Sequence, residues 1–396
     1  MLRKLTAVIL TLCLFIPAFA LATETETDDS DVSLEDALID AGVISITVTD
    51  GDGETVSDET VEVVDKTLPR YEADGSIELT MTFGGDFTIG NNVQSSGKSI
   101  FETQLDAQDR DTNFIFRNVR DILEADDLTV LNFEGTLTTA SRNRYRTENS
   151  YLFRADPEYV SMLPDNGVEL VTLENNHVLD MGEEGLAETK QVLSDAGVLY
   201  SDESEPALFT LYGVKVGVLA YWQLRSEMER LFVDAPEDIA ALKAQGAQIV
   251  ICAIHWGDEL DYYPNENQQK FAKILIDGGA DLVVGHHSHR INPIEEYNGK
   301  YIVYSLANFS FAGNTKPSDM STFIFQIKFR VMDGTVTTPD GFIIIPARIS
   351  SNTSYNDLII TPYTKRENID SVISVLTKNG EHLDNPVAEY PTSWEE

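Results

Sequence analysis

Five short apolar runs recur along this chain, and each is followed at once by polar residues able to hold a ligand. They span residues 77–83 (IELTMTF), 127–133 (DLTVLNF), 168–173 (VELVTL), 247–254 (AQIVICAI) and 280–284 (ADLVV). Runs of this length, rich in β-branched residues, predict buried strands. The polar residues that follow are Asp86 in GGDF, Asn132 and Glu134 in LNFEG, Asn176 and His177 in ENNH, His255 in IHWGDE, and His286, His287 and His289 in GHHSH. Ligands of open α/β sheets bind in the loops beyond strand C-termini. Five of the six histidines fall in three of these loops, so the pattern predicts one site built by converging loops.

Helical periodicity fills the intervals. Residues 115–126 place Phe116, Val119, Ile122 and Leu123 on one face. Residues 156–167 start with Asp156 as N-cap and Pro157 at the first helical position. Residues 182–197 and 265–279 each end in glycine. Strands alternating with helices predict an α/β layered domain over 76–350. From about Lys300 strand candidates succeed one another. Residues 351–396 read as a final helix, 366–380, and a tail.

The N-terminus changes the picture. A basic start, a short apolar stretch and small residues at Ala18, Ala20 and Ala22 predict a signal peptide over 1–22, and hence a secreted or cell-surface protein. The alternative is a retained membrane anchor. Residues 23–75 read as an acidic leader with a candidate hairpin about Asp50–Gly53. A net charge of −38 argues against nucleic acid as a partner. Cys13 lies in the signal stretch, so Cys252 alone would remain and no disulfide forms within the mature chain.

The donors themselves indicate metal. A mixture of carboxylate, amide oxygen and imidazole suits Mn²⁺, Zn²⁺ or Fe²⁺ better than Ca²⁺ or Mg²⁺. Two such ions about 3.5–4 Å apart would clamp an oxyanion during hydrolysis. His287 and His289, two residues apart, can face one centre from a bending strand end, with His286 turned away. Asp180 either orients His177 or serves a turn. No GxSxG, GxxxxGK[ST] or GxGxxG motif occurs.

GGDFTIG, LNFEGTLT, FRADPEYV, LENNHVLDMGEEGL, GVKVGVLAY, IHWGDELDYYPNENQ and the stretch from LIDGGADLVVGHHSHR to SLANF occur in an order that resembles the bacterial capsule-synthesis family usually called CapA, the poly-γ-glutamate synthesis proteins. That family is similar to the calcineurin-like metallophosphoesterases, which implies a four-layer αββα sandwich. The resemblance implies Asp86, Glu134, Asn176, His255, His287 and His289 as ligands of one or two divalent ions. It implies His177 as proton donor or anion-orienting group; Asp180, read from its own position beside His177, is the second catalytic candidate. Arg154, Glu259 and Arg290 are the expected substrate contacts. Two departures stand out: Thr88 occupies the place of a ligand His, and Glu134 the place of a bridging Asp. Ala307 stands where the family more often has Gly. The implied role is synthesis, export or processing of an anionic poly-γ-glutamate-like polymer, with the polymer or membrane-bound capsule machinery as partner. The alternatives are a metal-dependent hydrolase of phosphate esters or amides, and a non-catalytic scaffold.

Overall fold

The structure, a computed structural model, describes residues 43–49, 55–62, 66–94, 97–140, 151–223, 228–338 and 341–394; for 43–62 it gives backbone pairing only. The proposed signal peptide, residues 23–42 and the Asp50–Gly53 turn lie outside the described residues. Val43–Thr49 and Thr55–Glu62 pair antiparallel, as a hairpin requires.

All five apolar runs form strands, in two sheets. The larger sheet runs Thr361–Pro362, Phe342–Arg348, Ser321–Met332, Ile77–Thr88, Leu128–Phe133, Leu170–Thr172, Leu199–Ser201, and its last four strands are parallel. The smaller sheet runs Ile291–Tyr297, Lys300–Leu306, Leu282–His286, Ile249–His255, Val214–Trp222, Ala207–Leu211. Its four inner strands are parallel.

Period-two alternation explains the layers. Ile249 and Ile251 enter the cluster between the sheets, whereas Val250, Cys252 and Ile254 enter the cluster under the helices Met228–Ala244 and Glu266–Asp277. Leu128 and Val130 likewise face inward, while Leu131 and Phe133 face the helices over the larger sheet. A strand buried on both sides must be apolar throughout, which is why these runs are unbroken. The result is the four-layer αββα sandwich.

The helical expectations hold unevenly. Asn265 and Gln268 form a capping box at Glu266–Asp277. Asp156 caps its helix through Glu158 N, but Pro157–Met162 is a 3₁₀ helix. Residues 115–126 give only a 3₁₀ turn, Thr112–Ile115, and a short helix, Arg120–Glu124. Met228–Ala244 carries Pro236 in its interior, a residue that reads as a helix breaker. The C-terminal helix Arg366–Gly380 is part of the body, sending Val372 and Leu376 into the inter-sheet cluster.

The end of the sandwich away from the site loops holds a buried acidic group. Arg70 grips Asp127 through both carboxylate oxygens, at 2.6 and 2.8 Å. Lys66 donates to Glu169 at 2.8 Å and to Asp127 O at 3.0 Å. Residues 66–70, placed in the leader by composition, are thus tied to the folded body.

Candidate metal centre

The parallel strands of both sheets end at the same edge and bring the site loops together. Asp86 is fully buried where the Ile77–Thr88 strand passes Asn308–Phe311. That passage is tight. A Cβ on Gly85 would lie 2.0 Å from Ala307 O, and Asp86 N donates to the same oxygen at 3.0 Å. Glycine is therefore required immediately before the ligand. Ala307, at φ 61°, takes the left-handed conformation that glycine adopts without strain. His287 (φ 89°) and His289 (φ 52°) are also left-handed, so the GHHSH loop bends at both histidines. Strain of this kind persists where the surroundings enforce it.

Glu134 lies at the centre. Its side chain is buried, and Oε1 makes no hydrogen bond within the protein. His177 Nε2 and His255 Nε2 each lie 3.8 Å from that oxygen. Both distances are too long for a hydrogen bond, and for His255 the spacing suits two atoms each about 2.0–2.2 Å from one ion. One donor of Glu134, His255 and His287 lies within 4.8 Å of each of the others, and the same holds for Asp86, Glu134 and His289. Glu134 belongs to both groups, the position of a bridging ligand. Asn176 Oδ1 joins the first through His255 Nε2, at 2.8 Å. An orphaned buried carboxylate oxygen among imidazoles and an amide oxygen fits a divalent transition metal.

Without an ion, the electrostatics set His289 apart from the other histidines. Burial pushes the Glu134 carboxyl up to about 7, and the Asp86 charge adds to the rise. Burial also raises the cost of charging Asp86, but the His289 hydrogen bond and neighbouring imidazoles hold it well below the usual carboxylate range. Although burial opposes it, the Glu134 and Asp86 charges lift His289 to about 9. Burial keeps His255, His286 and His287 below the ordinary histidine value, leaving them neutral, as ligands must be.

The remaining expected residues fall into distinct places. His177 Nδ1 meets Asp180 Oδ2 at 2.7 Å, so Asp180 orients His177, and the same oxygen accepts from Phe153 N at 2.6 Å. His286 does not turn away: its Nδ1 lies 3.6 Å from Asp86 Oδ1, because the bend comes one residue later. Thr88, expected to replace a ligand His, contacts Glu134 Oε2 through Oγ1 at 3.5 Å. Arg290 is buried and donates to His289 O and Ser318 Oγ, both at 2.8 Å, which braces the histidine loop. Arg154 donates to Ala140 O at 3.1 Å. Glu259 is exposed at the rim, and its charge bears on Glu134, His287 and His289.

Three supporting features escaped the sequence reading. Asn308 Oδ1 holds His289 Nδ1 at 2.9 Å. The Asn175 side-chain amide ties the ENNH loop to its neighbours. Phe153 packs against His177 and Phe311 against His289, with ring centroids 4.6 and 5.0 Å apart. The amides carried a weak signal, since each adjoins a quoted motif residue.

Comparison with known proteins matches the pattern. The family model described as bacterial capsule synthesis protein PGA_cap matches residues 80–312. The chain is 28% identical over 323 residues to the PGA biosynthesis protein CapA of Bacillus subtilis, covering 76% of this chain and 81% of that protein. It is 26% identical over 274 residues to the capsule biosynthesis protein CapA of Bacillus anthracis, covering 63% and 64%. The NAD nucleotidase of Haemophilus influenzae superposes with a TM-score of 0.39 at 13% identity, over 76% of this chain and 56% of that one. Every site residue from Asp86 to Asn308 falls inside the matched segment, and the chain belongs to the PGA_cap family of bacterial capsule synthesis proteins.

Proposed function

We propose that the protein works outside the cytoplasm in the synthesis, export or processing of an anionic γ-glutamyl capsule polymer, through a divalent-metal site. The observation that carries this reading is the buried Glu134 oxygen shared by two groups of carboxylate and imidazole donors. Asp86, Glu134 and His289 would hold one ion; Glu134, Asn176, His255 and His287 would hold the other. A bound ion of this kind supplies Lewis-acid polarisation and an activated water.

The chain's own residues would do the rest. Asp180 accepts from His177 Nδ1 and so fixes which ring nitrogen faces the site. His177 Nε2 then points toward Glu134 with its lone pair; it would take up a proton from solvent first and hand it to a leaving group, while the Nδ1–H stays on Asp180. Phe153 and Phe311 dry the flanks of His177 and His289, which strengthens charge interactions there. With Arg290 and Arg154 already engaged, positive charge for an anionic substrate would come from the ions. Thr88 in place of a ligand argues against an ordinary phosphoesterase, so hydrolysis of phosphate esters stands second. No helix of the described residues is long and apolar enough to cross a membrane; the extracellular setting rests on the N-terminal pattern alone.

Elemental analysis of protein purified without chelator should find metal in near-stoichiometric amount, and His287→Ala should lose most of it. γ-Linked polyglutamate, a phosphomonoester and a phosphodiester should be assayed in parallel, with turnover expected on the polymer. A wild-type protein that stays metal-free after incubation with Mn²⁺ and Zn²⁺ refutes the proposal.

A further inference from the structure

Asn132 sits between the two sheets' contributions to the centre, 1% exposed. Its neighbours dictate which end of its amide faces where. Asn175 Nδ2 donates to Phe133 O at 2.9 Å, and Asn175 Oδ1 accepts from His177 N at 3.0 Å, so the Asn175 amide has a single sense. The same Nδ2 donates to Asn132 Oδ1 at 3.3 Å, and Thr172 Oγ1 donates to that oxygen at 3.2 Å. Asn132 Nδ2 must therefore face Asp86 Oδ1, at 2.8 Å, and His255 Nδ1, at 3.2 Å.

An N–H aimed at His255 Nδ1 needs a lone pair there. Neutral His255 then carries its proton on Nε2 and donates it to Asn176 Oδ1 at 2.8 Å. Yet Nε2 is the nitrogen turned to Glu134 Oε1, at 3.8 Å, and is the atom the proposed metal reading needs free. Metal-holding histidines ordinarily donate the other ring N–H to an acceptor. Here the group opposite Nδ1 is a donor.

We infer that Asn132 is a positioning residue that locks His255 in the tautomer unable to take metal, and that filling the His255 side of the centre requires the Asn132 amide to turn. The inference rests on the metal reading above. The proton balance is internal: one proton leaves Nε2, one arrives at Nδ1 through solvent, and the ring stays neutral. Turning presents Asn132 Oδ1 to the new Nδ1–H. It also gives up the bonds to Asp86, Thr172 and Asn175, so uptake at this position is held back.

Two measurements test this. In the full-length protein with ¹⁵N-labelled histidine, treated with chelator, His255 should show an unprotonated Nδ1 and a protonated Nε2, with His255→Gln identifying the signals. Saturation with Zn²⁺ should exchange the two. A metal-free spectrum with Nδ1 protonated overturns the lock and leaves the metal reading standing. A protein that takes up no Zn²⁺ overturns the metal reading and with it the exchange. The second measurement uses Asn132→Asp, which offers an acceptor to Nδ1–H without turning. Its metal-free form should melt lower, because the introduced carboxylate would face Asp86, while Zn²⁺ binding should tighten by about 10-fold or more. Weaker or unchanged Zn²⁺ binding in a folded Asn132→Asp protein would mean that Asn132 only props the loops. Should that variant not fold, the wild-type spectra decide alone.

Discussion

Replacing Asp126 by Asn should stabilise the protein, increasingly so as pH rises. Asp126 is 7% exposed. Its Oδ2 accepts from Thr129 Oγ1 at 2.7 Å, and its Oδ1 makes no hydrogen bond within the protein. Burial, then the charge of Glu169, pushes its carboxyl from 3.8 up to about 8, with Lys66 offsetting only part. The unfolded chain loses this proton above about pH 4, whereas the folded chain keeps it to about pH 8, so the folded state binds more protons in that window. Stability linked to Asp126 is therefore complete below pH 4 and falls as pH rises to 8. A shift near four units sets a ceiling of about 5–6 kcal/mol at 1.36 kcal/mol per unit; relaxation around the carboxylate brings the expected gain to roughly 2–4 kcal/mol. Asn keeps the shape and the Thr129 contact but cannot ionise. Urea unfolding of both proteins in chelator, from about pH 5 to pH 8.5, measures the difference. Glu134 and Glu174, raised to about 7 by burial, slope the same way in both proteins and cancel in it. A variant that is less stable than wild type at every pH, or whose advantage does not grow with pH, refutes the reasoning.

Other outcomes follow from the same contacts. Ala307→Gly should raise stability by about 0.5 kcal/mol or more in thermal melts, since relief at φ 61° exceeds the entropy that glycine adds to the unfolded chain. Gly85→Ala should cost more than about 3 kcal/mol or leave no soluble protein, because its Cβ would meet a backbone oxygen that cannot give way. Lys66→Met should cost roughly 2–4 kcal/mol by leaving Glu169 buried beside Asp126, and limited proteolysis should then cut within residues 66–76 sooner than in wild type. His177→Asn should keep fold and metal while lowering turnover by about 10²–10⁴-fold on whichever substrate is processed; equal turnover would remove the proton-donor role.

The ligand-type residues were legible because each stands where an apolar run stops. A strand buried on both faces is apolar along most of its length, so the break in the apolar pattern at Asp86, Glu134 and His255 marks the site. What the breaks do not carry is the partner of each group. Asn132 meets His255 across 123 residues of chain, and Asp86 accepts from His287 N across 201. Those contacts come from stacking two sheets, which no local period reports. Helix 115–126 misled for a related reason: Phe116, Val119 and Leu123 are buried as the periodicity requires, but the chain reaches their common cluster through turns. Burial was read correctly and its geometry was not.

The same distinction bears on Thr88 and Glu134, the two positions at which the sequence resemblance implies a departure from the phosphoesterase pattern. Thr88 and Glu134 are far apart in sequence, yet Thr88 Oγ1 lies 3.5 Å from Glu134 Oε2. A glutamate is one methylene longer than an aspartate, and a threonine is much smaller than a histidine. The two side chains touch, so a larger residue at 88 must compete with the Glu134 carboxylate for space. Neither can be judged alone. Thr88→His without shortening Glu134 would overpack a buried site, at about 1–3 kcal/mol, whereas Thr88→His with Glu134→Asp would relieve that competition. The double variant should be the more stable of the two in thermal melts and should bind the ion at Asp86 more tightly. A single variant as stable as the double one would show that the two positions are independent.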